Sequence, residues 1–191
     1  PGSGNPGGIA AGKLSIAASG PRETFDRVLD GLTTIGRSAT YVGEGEVARL
    51  VKIAHNVFLG VVIQSLVEIT TLAEQGGVSR QAFLEFLNDS VMGSTFTRYK
   101  SPAIVNLDFT PTFTIPLLSK DFDLGLAAAH ELKVPMPIAA ATAQLVASAM
   151  GAGFVEEDFA VLLLEQARRS GVELVSERAE VRSGLEVPSD E

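Results

Sequence analysis

The chain has 191 residues, 46% apolar and 20% charged, the balance of a folded protein large enough for one domain or two small ones with a substantial core. A net charge of −8 with no basic run argues against a nucleic-acid partner. The absence of cysteine excludes disulfides, thiolate metal sites and cysteine nucleophiles and suits a cytoplasmic location, and the two histidines, His55 and His130, cannot build a histidine-rich metal site.

Taken in chain order, residues 1–8 read as turn chemistry with little strand or helix propensity. Leu14–Ser19 predicts a short strand, Arg22–Leu32 a helix through Phe25, Val28, Leu29 and Leu32, and Ala39–Val42 a second strand. A two-strand sheet cannot stand alone, so residues 1–45 read as the last part of an α/β domain. With a proline as first residue and no initiator methionine, the chain reads as part of a longer protein. No signal peptide is evident, and charges interrupt the apolar stretches, so no membrane span is expected.

From Val47 onward the pattern is helical. The first segment, Val47–Glu74, has no proline and ends at Gly76-Gly77. Ser79 caps a helix to about Leu87. Asp89–Pro111 is mixed, with a short helix around Ser94–Tyr99. Thr114 and Pro116 open a helix over Leu117–Leu132, Ile138–Met150 is another, and Glu156–Arg169 is a last amphipathic one. Residues 171–191 read as a flexible acidic tail and 46–170 as an all-α unit. The fold class expected is therefore mostly α, with a long interdomain helix behind the last strand–helix–strand portion of an α/β domain.

Lys52-Ile53-Ala54-His55-Asn56 sets a cation and an amide four residues apart in an otherwise apolar helix, where Arg49, Lys52 and Asn56 share one stripe at about 100° per residue. Burying a lysine is costly unless it is paired or used. A snorkelling lysine beside a hydrogen-bonded asparagine fits the same pattern. Arg49 reads as a surface or salt-bridged residue. His55 is offset about 100° from Asn56 and reads as structural. His130 near a helix end complements the dipole. Asp121, Asp123 and Glu156-Glu157-Asp158 do not suggest a metal, since acids are expected where a helix starts, and none is predicted.

Three sites follow one another in order: Pro1-Gly2-Ser3-Gly4 with Ala11-Gly12-Lys13-Leu14; Lys52-x-x-x-Asn56 behind Gly43-x-Gly45; and Phe113 followed by Lys120-Asp121. Together they resemble the β-hydroxyacid dehydrogenases, the family of 3-hydroxyisobutyrate, tartronate semialdehyde and 6-phosphogluconate dehydrogenases, over roughly residues 1–170. The resemblance implies a nicotinamide-dependent oxidoreductase that interconverts a small 3-hydroxy carboxylic acid and its semialdehyde or keto form. It implies Lys52 as general acid/base, Ser3, Gly4 and Asn56 as substrate residues, and Lys120, Phe113 and Asp121 on the cofactor side. NAD or NADP is the implied cofactor. The apolar excess of Val47–Glu74 favours a homodimer or higher homo-oligomer.

The sequence departs from the family pattern in places. Gly2 stands where valine is usual, Asn5-Pro6 replaces the second glycine of the loop, and the distance from Gly43-Glu44-Gly45 to Lys52 is longer than in many members. Gly2 to Gly7 spells Gly-x-Gly-x-x-Gly, but with no strand expected before it and no helix after it. The dinucleotide grip is thus expected to lie outside this sequence and the chain alone to be inactive. Competing readings are a non-catalytic all-α dimerisation module and an imine reductase of the same fold. Lys52 disfavours the latter, since imine reductases of this fold usually lack that lysine.

Overall fold

The computed structural model describes residues 1–185. The N-terminal unit holds β1 (Gly2–Ser3), α1 (Pro6–Ala10), β2 (Ser15–Ala18), α2 (Arg22–Ile35) and β3 (Ser38–Tyr41). Then come α3 (Val47–Gln75), α4 (Arg80–Asp89), α5 (Thr95–Asn106), α6 (Ile115–Glu131), α7 (Pro137–Gly151), a 3-10 turn at Phe159–Val161 and α8 (Leu162–Ser170). The mostly helical class is as expected from the sequence.

The sheet has three strands in the order β1-β2-β3, not two. β2 and β3 are parallel, with Ser15 opposite Ser38, and β1 adds antiparallel to β2, with Ser3 opposite Ser15. Residues 1–8, expected to be pure turn, thus carry a strand and a helix start. Local chemistry explains the helix: Asn5 accepts from the Gly8 amide at 2.7 Å, and Pro6 occupies a first-turn position where its missing N–H costs nothing.

By length and composition α3 could cross a membrane; here it is the central helix of the bundle. Its C-terminal two-thirds bury Val57, Ile63, Leu66 and Val67 against Ile115, Leu118 and Phe122 of α6 and against α7 and α8. Gly60 lets α6 come close, because a Cβ there would sit 2.6 Å from the Phe122 ring. Not all of α3 is buried as its composition suggests: Val47, Leu50, Val51 and Phe58 remain exposed.

Two helices differ from their expected spans for tertiary reasons. α5 runs seven residues beyond Tyr99, through Pro102 to Asn106. The fully buried Arg80 holds its terminal carbonyls, donating from Nε to Ile104 O (3.0 Å) and from Nη2 to Val105 O (2.9 Å). The last helix starts later than Glu156. Asp158 is held extended by its amide's bond to Phe109 O and by a bridge to Thr114, so helix begins only after it.

The tail expected to be flexible is a strap against the core over residues 172–185. The Glu177 carboxylate accepts from the amides of Arg80 and Gln81 at the start of α4, Asn106 pairs with the Ala179 backbone in both directions, and Leu174, Ala179 and Val181 pack on the core. Residues 186–191 lie outside the described residues.

Candidate active site

A cleft of about 340 Å³ opens between the N-terminal unit and the helical bundle. Ser3, Gly4 and Ser15 line it from the sheet side, Lys52, His55 and Asn56 from α3, Phe96 and Tyr99 from α5, and Phe113 from the loop before α6. Among the described residues its charged lining consists of Lys13, Arg37 and Lys52, with no acid, on a chain of net charge −8. Such a cleft is built for an anion. At its rim lies Leu185 of the strap, and Lys13 donates to the Gly184 carbonyl.

Lys52 is half-buried and donates to the Gly2 carbonyl at 2.8 Å, which ties α3 to β1 and points the ammonium at the residue preceding Ser3. Its pKa is lowered from the ordinary lysine value: burial is the main cause, Asp121 opposes it and Lys120 reinforces it.

Asn56 is joined to α6, donating from Nδ2 to Asp121 Oδ2 at 2.7 Å, while Asp121 Oδ1 pairs with Lys120 Nζ at 2.8 Å. Lys120 is exposed and does not line the cleft, and neither does Asp121, which is buried. Both therefore reach the cleft through Asn56 and through their charges on Lys52. Arg49 forms an exposed pair with Glu46, one turn from the site.

Residues 43–165 match the family described as "NAD-binding of NADP-dependent 3-hydroxyisobutyrate dehydrogenase". The chain belongs to this β-hydroxyacid dehydrogenase family. It is 30% identical over 159 residues to L-threonate dehydrogenase of Cupriavidus necator, covering 83% of this chain and 54% of that protein. It is 26% identical over 152 residues to glyoxylate/succinic semialdehyde reductase 1 of Arabidopsis thaliana, covering 80% and 53%. Among solved structures it superposes on 3-hydroxyisobutyrate dehydrogenase from Salmonella typhimurium with a TM-score of 0.78 at 25% identity, covering 86% of this chain and 58% of that one. The chain spans little more than half the length of these two curated relatives.

The family binds NAD(P). The Gly2–Gly7 letters do lie beside a strand and a helix here, contrary to expectation, but they make no dinucleotide grip. β1 is antiparallel to β2, α1 has only five residues, and its N-terminal Gly8 amide is already taken by Asn5.

Sequence reasoning missed the far wall. Lys100 and Asp158 form a buried ion pair, Nζ to Oδ1 2.6 Å and to Oδ2 2.8 Å, with Lys100 over the Phe159 ring at 4.2 Å. Asp158 also accepts from the Thr112 and Phe113 amides, so the pair fixes the loop that carries Phe113 into the cleft. Phe113 packs edge-on against Phe159, which stacks on Phe96. Burial pushes the neighbouring Tyr99 hydroxyl far above its usual value, with Asp158 adding to the effect, so it stays neutral. No motif signals this pair, because residues 58 apart meet only in three dimensions.

His55 was missed for another reason. It is adjacent to Asn56, and a 100° offset suggests separation; yet its Nδ1 lies 3.0 Å from Asn56 Oδ1 and its Nε2 lies 2.9 Å from Ser3 Oγ. A long ring at the rim spans the offset.

Proposed function

We propose that this chain is the helical part, with the end of the dinucleotide-binding domain at residues 1–45, of an NAD(P)-dependent 3-hydroxyacid dehydrogenase with Lys52 as general acid/base. The convergence of Lys52, Ser3, Gly4 and Asn56 on one cationic cleft supports this reading. The cofactor, when bound, accepts or returns a hydride. Neutral Lys52 takes the hydroxyl proton of the alcohol, and in reduction its ammonium gives a proton to the carbonyl oxygen. Its lowered pKa favours the neutral base, and the Gly2 carbonyl holds the amine in place until a substrate hydroxyl replaces it. Ser3 and the Gly4 amide bind the substrate carboxylate, and Asn56, held by Asp121, keeps the substrate's orientation. Lys120, Asp121 and Phe113 form the cofactor side. Exposed Phe58 and Leu72 on α3 support assembly as a homo-oligomer, testable by light scattering, where a monomer at high concentration would count against it.

In the full-length protein, Lys52→Ala should lower turnover by about 10²–10⁴-fold, the worth of a positioned acid/base, with cofactor affinity nearly unchanged. Asn56→Ala should raise KM, and Lys120→Ala should weaken cofactor binding. In the oxidative direction the rate should climb with pH through a value below lysine's ordinary 10.5. A Lys52→Ala enzyme within tenfold of the parent would refute the assignment.

A further inference from the structure

An unbroken run of hydrogen bonds crosses the site: Ser3 Oγ to His55 Nε2 (2.9 Å), His55 Nδ1 to Asn56 Oδ1 (3.0 Å), Asn56 Nδ2 to Asp121 Oδ2 (2.7 Å), and Asp121 Oδ1 to Lys120 Nζ (2.8 Å). Its polarity can be worked out from one end. The buried Asp121 carboxylate only accepts, so the Asn56 amide must turn its NH₂ to it and its oxygen to His55. An amide oxygen only accepts too, which places a proton on His55 Nδ1. Neutral His55 then carries its lone pair on Nε2, and the Ser3 hydroxyl donates to it.

That arrangement is wrong for an anion. With its proton committed to the imidazole, Ser3 shows only lone pairs to a carboxylate. Protonating His55 reverses the bond: Nε2–H donates to Ser3 Oγ, the serine proton turns to the cleft, and the site gains a positive charge beside Lys52. We infer that His55 is a positioning residue that sets the direction of the Ser3 hydroxyl, so that the substrate carboxylate and one proton on His55 bind together. This rests on the assignment of Ser3 to the substrate carboxylate made above.

Histidine is the side chain whose charge normally changes between about pH 5 and 8. The groups facing His55 are accounted for as follows. On α3, Lys52 lies one turn before it; on α6, Asp121 and Lys120 close the run; from the sheet side, Lys13 and Arg37 line the same cleft, and His55 also lines a smaller cavity beside β1. Tyr99 on α5 is neutral. A variant of His55 alone separates its contribution from theirs.

Reciprocity demands that if protonation aids the anion, the anion aids protonation. The probe is 3-hydroxyisobutyrate, titrated into the full-length protein by NMR from pH 5.5 to 8.5, with calorimetry in two buffers of different ionisation enthalpy to count protons. Long-range imidazole spectra of the free chain should show the Nδ1–H tautomer. Affinity should fall about tenfold across the range, the difference between a charge-assisted and a neutral hydrogen bond, and linkage then sets the proton uptake on binding at about half a proton where it is greatest. In His55→Gln, whose amide can donate to Ser3 at every pH, both the pH dependence and the proton uptake should vanish while binding persists. Binding that is equally strong at both ends of the range, or proton uptake retained in His55→Gln, would overturn the inference and leave the dehydrogenase reading standing. Absence of binding at every pH, in parent and variant alike, would overturn both.

Discussion

Removing either member of the Lys100–Asp158 pair should destabilise the protein, but unequally, and the hydrogen-bond inventory says which way. The two side chains are 4% and 2% exposed, so each loss is felt in low dielectric. Burial by itself pushes the Asp158 carboxyl up; the Lys100 ammonium and bonds from Lys100, Ala160 and Thr112 outweigh it and hold the group below the usual carboxylate value. Asp158 accepts from Lys100 Nζ, the Thr112 amide (3.0 Å) and hydroxyl (2.7 Å), the Ala160 amide (2.9 Å) and, more weakly, the Phe113 amide (3.3 Å). Lys100, by contrast, has beyond Asp158 only the Thr112 hydroxyl at 3.1 Å and two ring faces among the described residues.

In Lys100→Met the carboxylate therefore keeps its backbone and hydroxyl donors, and the loss should be about 1–3 kcal/mol, one charge-assisted bond. In Asp158→Ala a buried ammonium is left almost without acceptors and the loop at Thr112 is freed, so the loss should reach about 3–5 kcal/mol. Urea unfolding followed by circular dichroism measures both, with the slope checked for constancy. Equal losses, or a larger one in Lys100→Met, would show that the donors around Asp158 do not carry its charge as described. The pH dependence adds a check. Because the folded-state pKa of Asp158 is depressed, its contribution is present above the unfolded carboxylate value and is lost as pH falls through the lower folded value.

Gly60→Ala should destabilise by about 1–3 kcal/mol net, since overpacking against Phe122 and Leu118 outweighs the roughly 1 kcal/mol of helix propensity gained; the same urea titration decides it, and a stabilised variant would show that α6 gives way freely. Glu165 is held down to about 2, first by its hydrogen bonds from Arg168, with Ser148 and the two arginine charges adding to them against burial. Its stabilisation should be fully present above its unfolded value near 4.5 and fade as pH falls towards about 2, so parent and Glu165→Gln should differ at pH 6 and converge in acid; a constant difference would refute the linkage.

Much of this fold is written in local signals. The periodicity of Val47–Glu74 with Gly76 after it, and Ser79 before Arg80, mark helices whose ends the structure places within a residue or two of the expected ones. The Lys52-x-x-x-Asn56 spacing puts both side chains on one face because helical geometry demands it, whatever the rest of the chain does. What the sequence could not decide was everything made by residues far apart along it. α5 continues because Arg80 satisfies its last carbonyls, and the final helix waits until Leu162 because Asp158 is committed to Lys100 and Thr112. The strap at 172–185 has the composition of a free tail, yet Glu177 finds the open amides at the start of α4. At the site, sequence supplied Ser3, Lys52 and Asn56 separately. Only the packing of β1 on β2 and α3 on α6 brings His55 between Ser3 and Asn56 and sets Asp121 behind them, because hydrogen-bond direction and burial belong to neighbours in space.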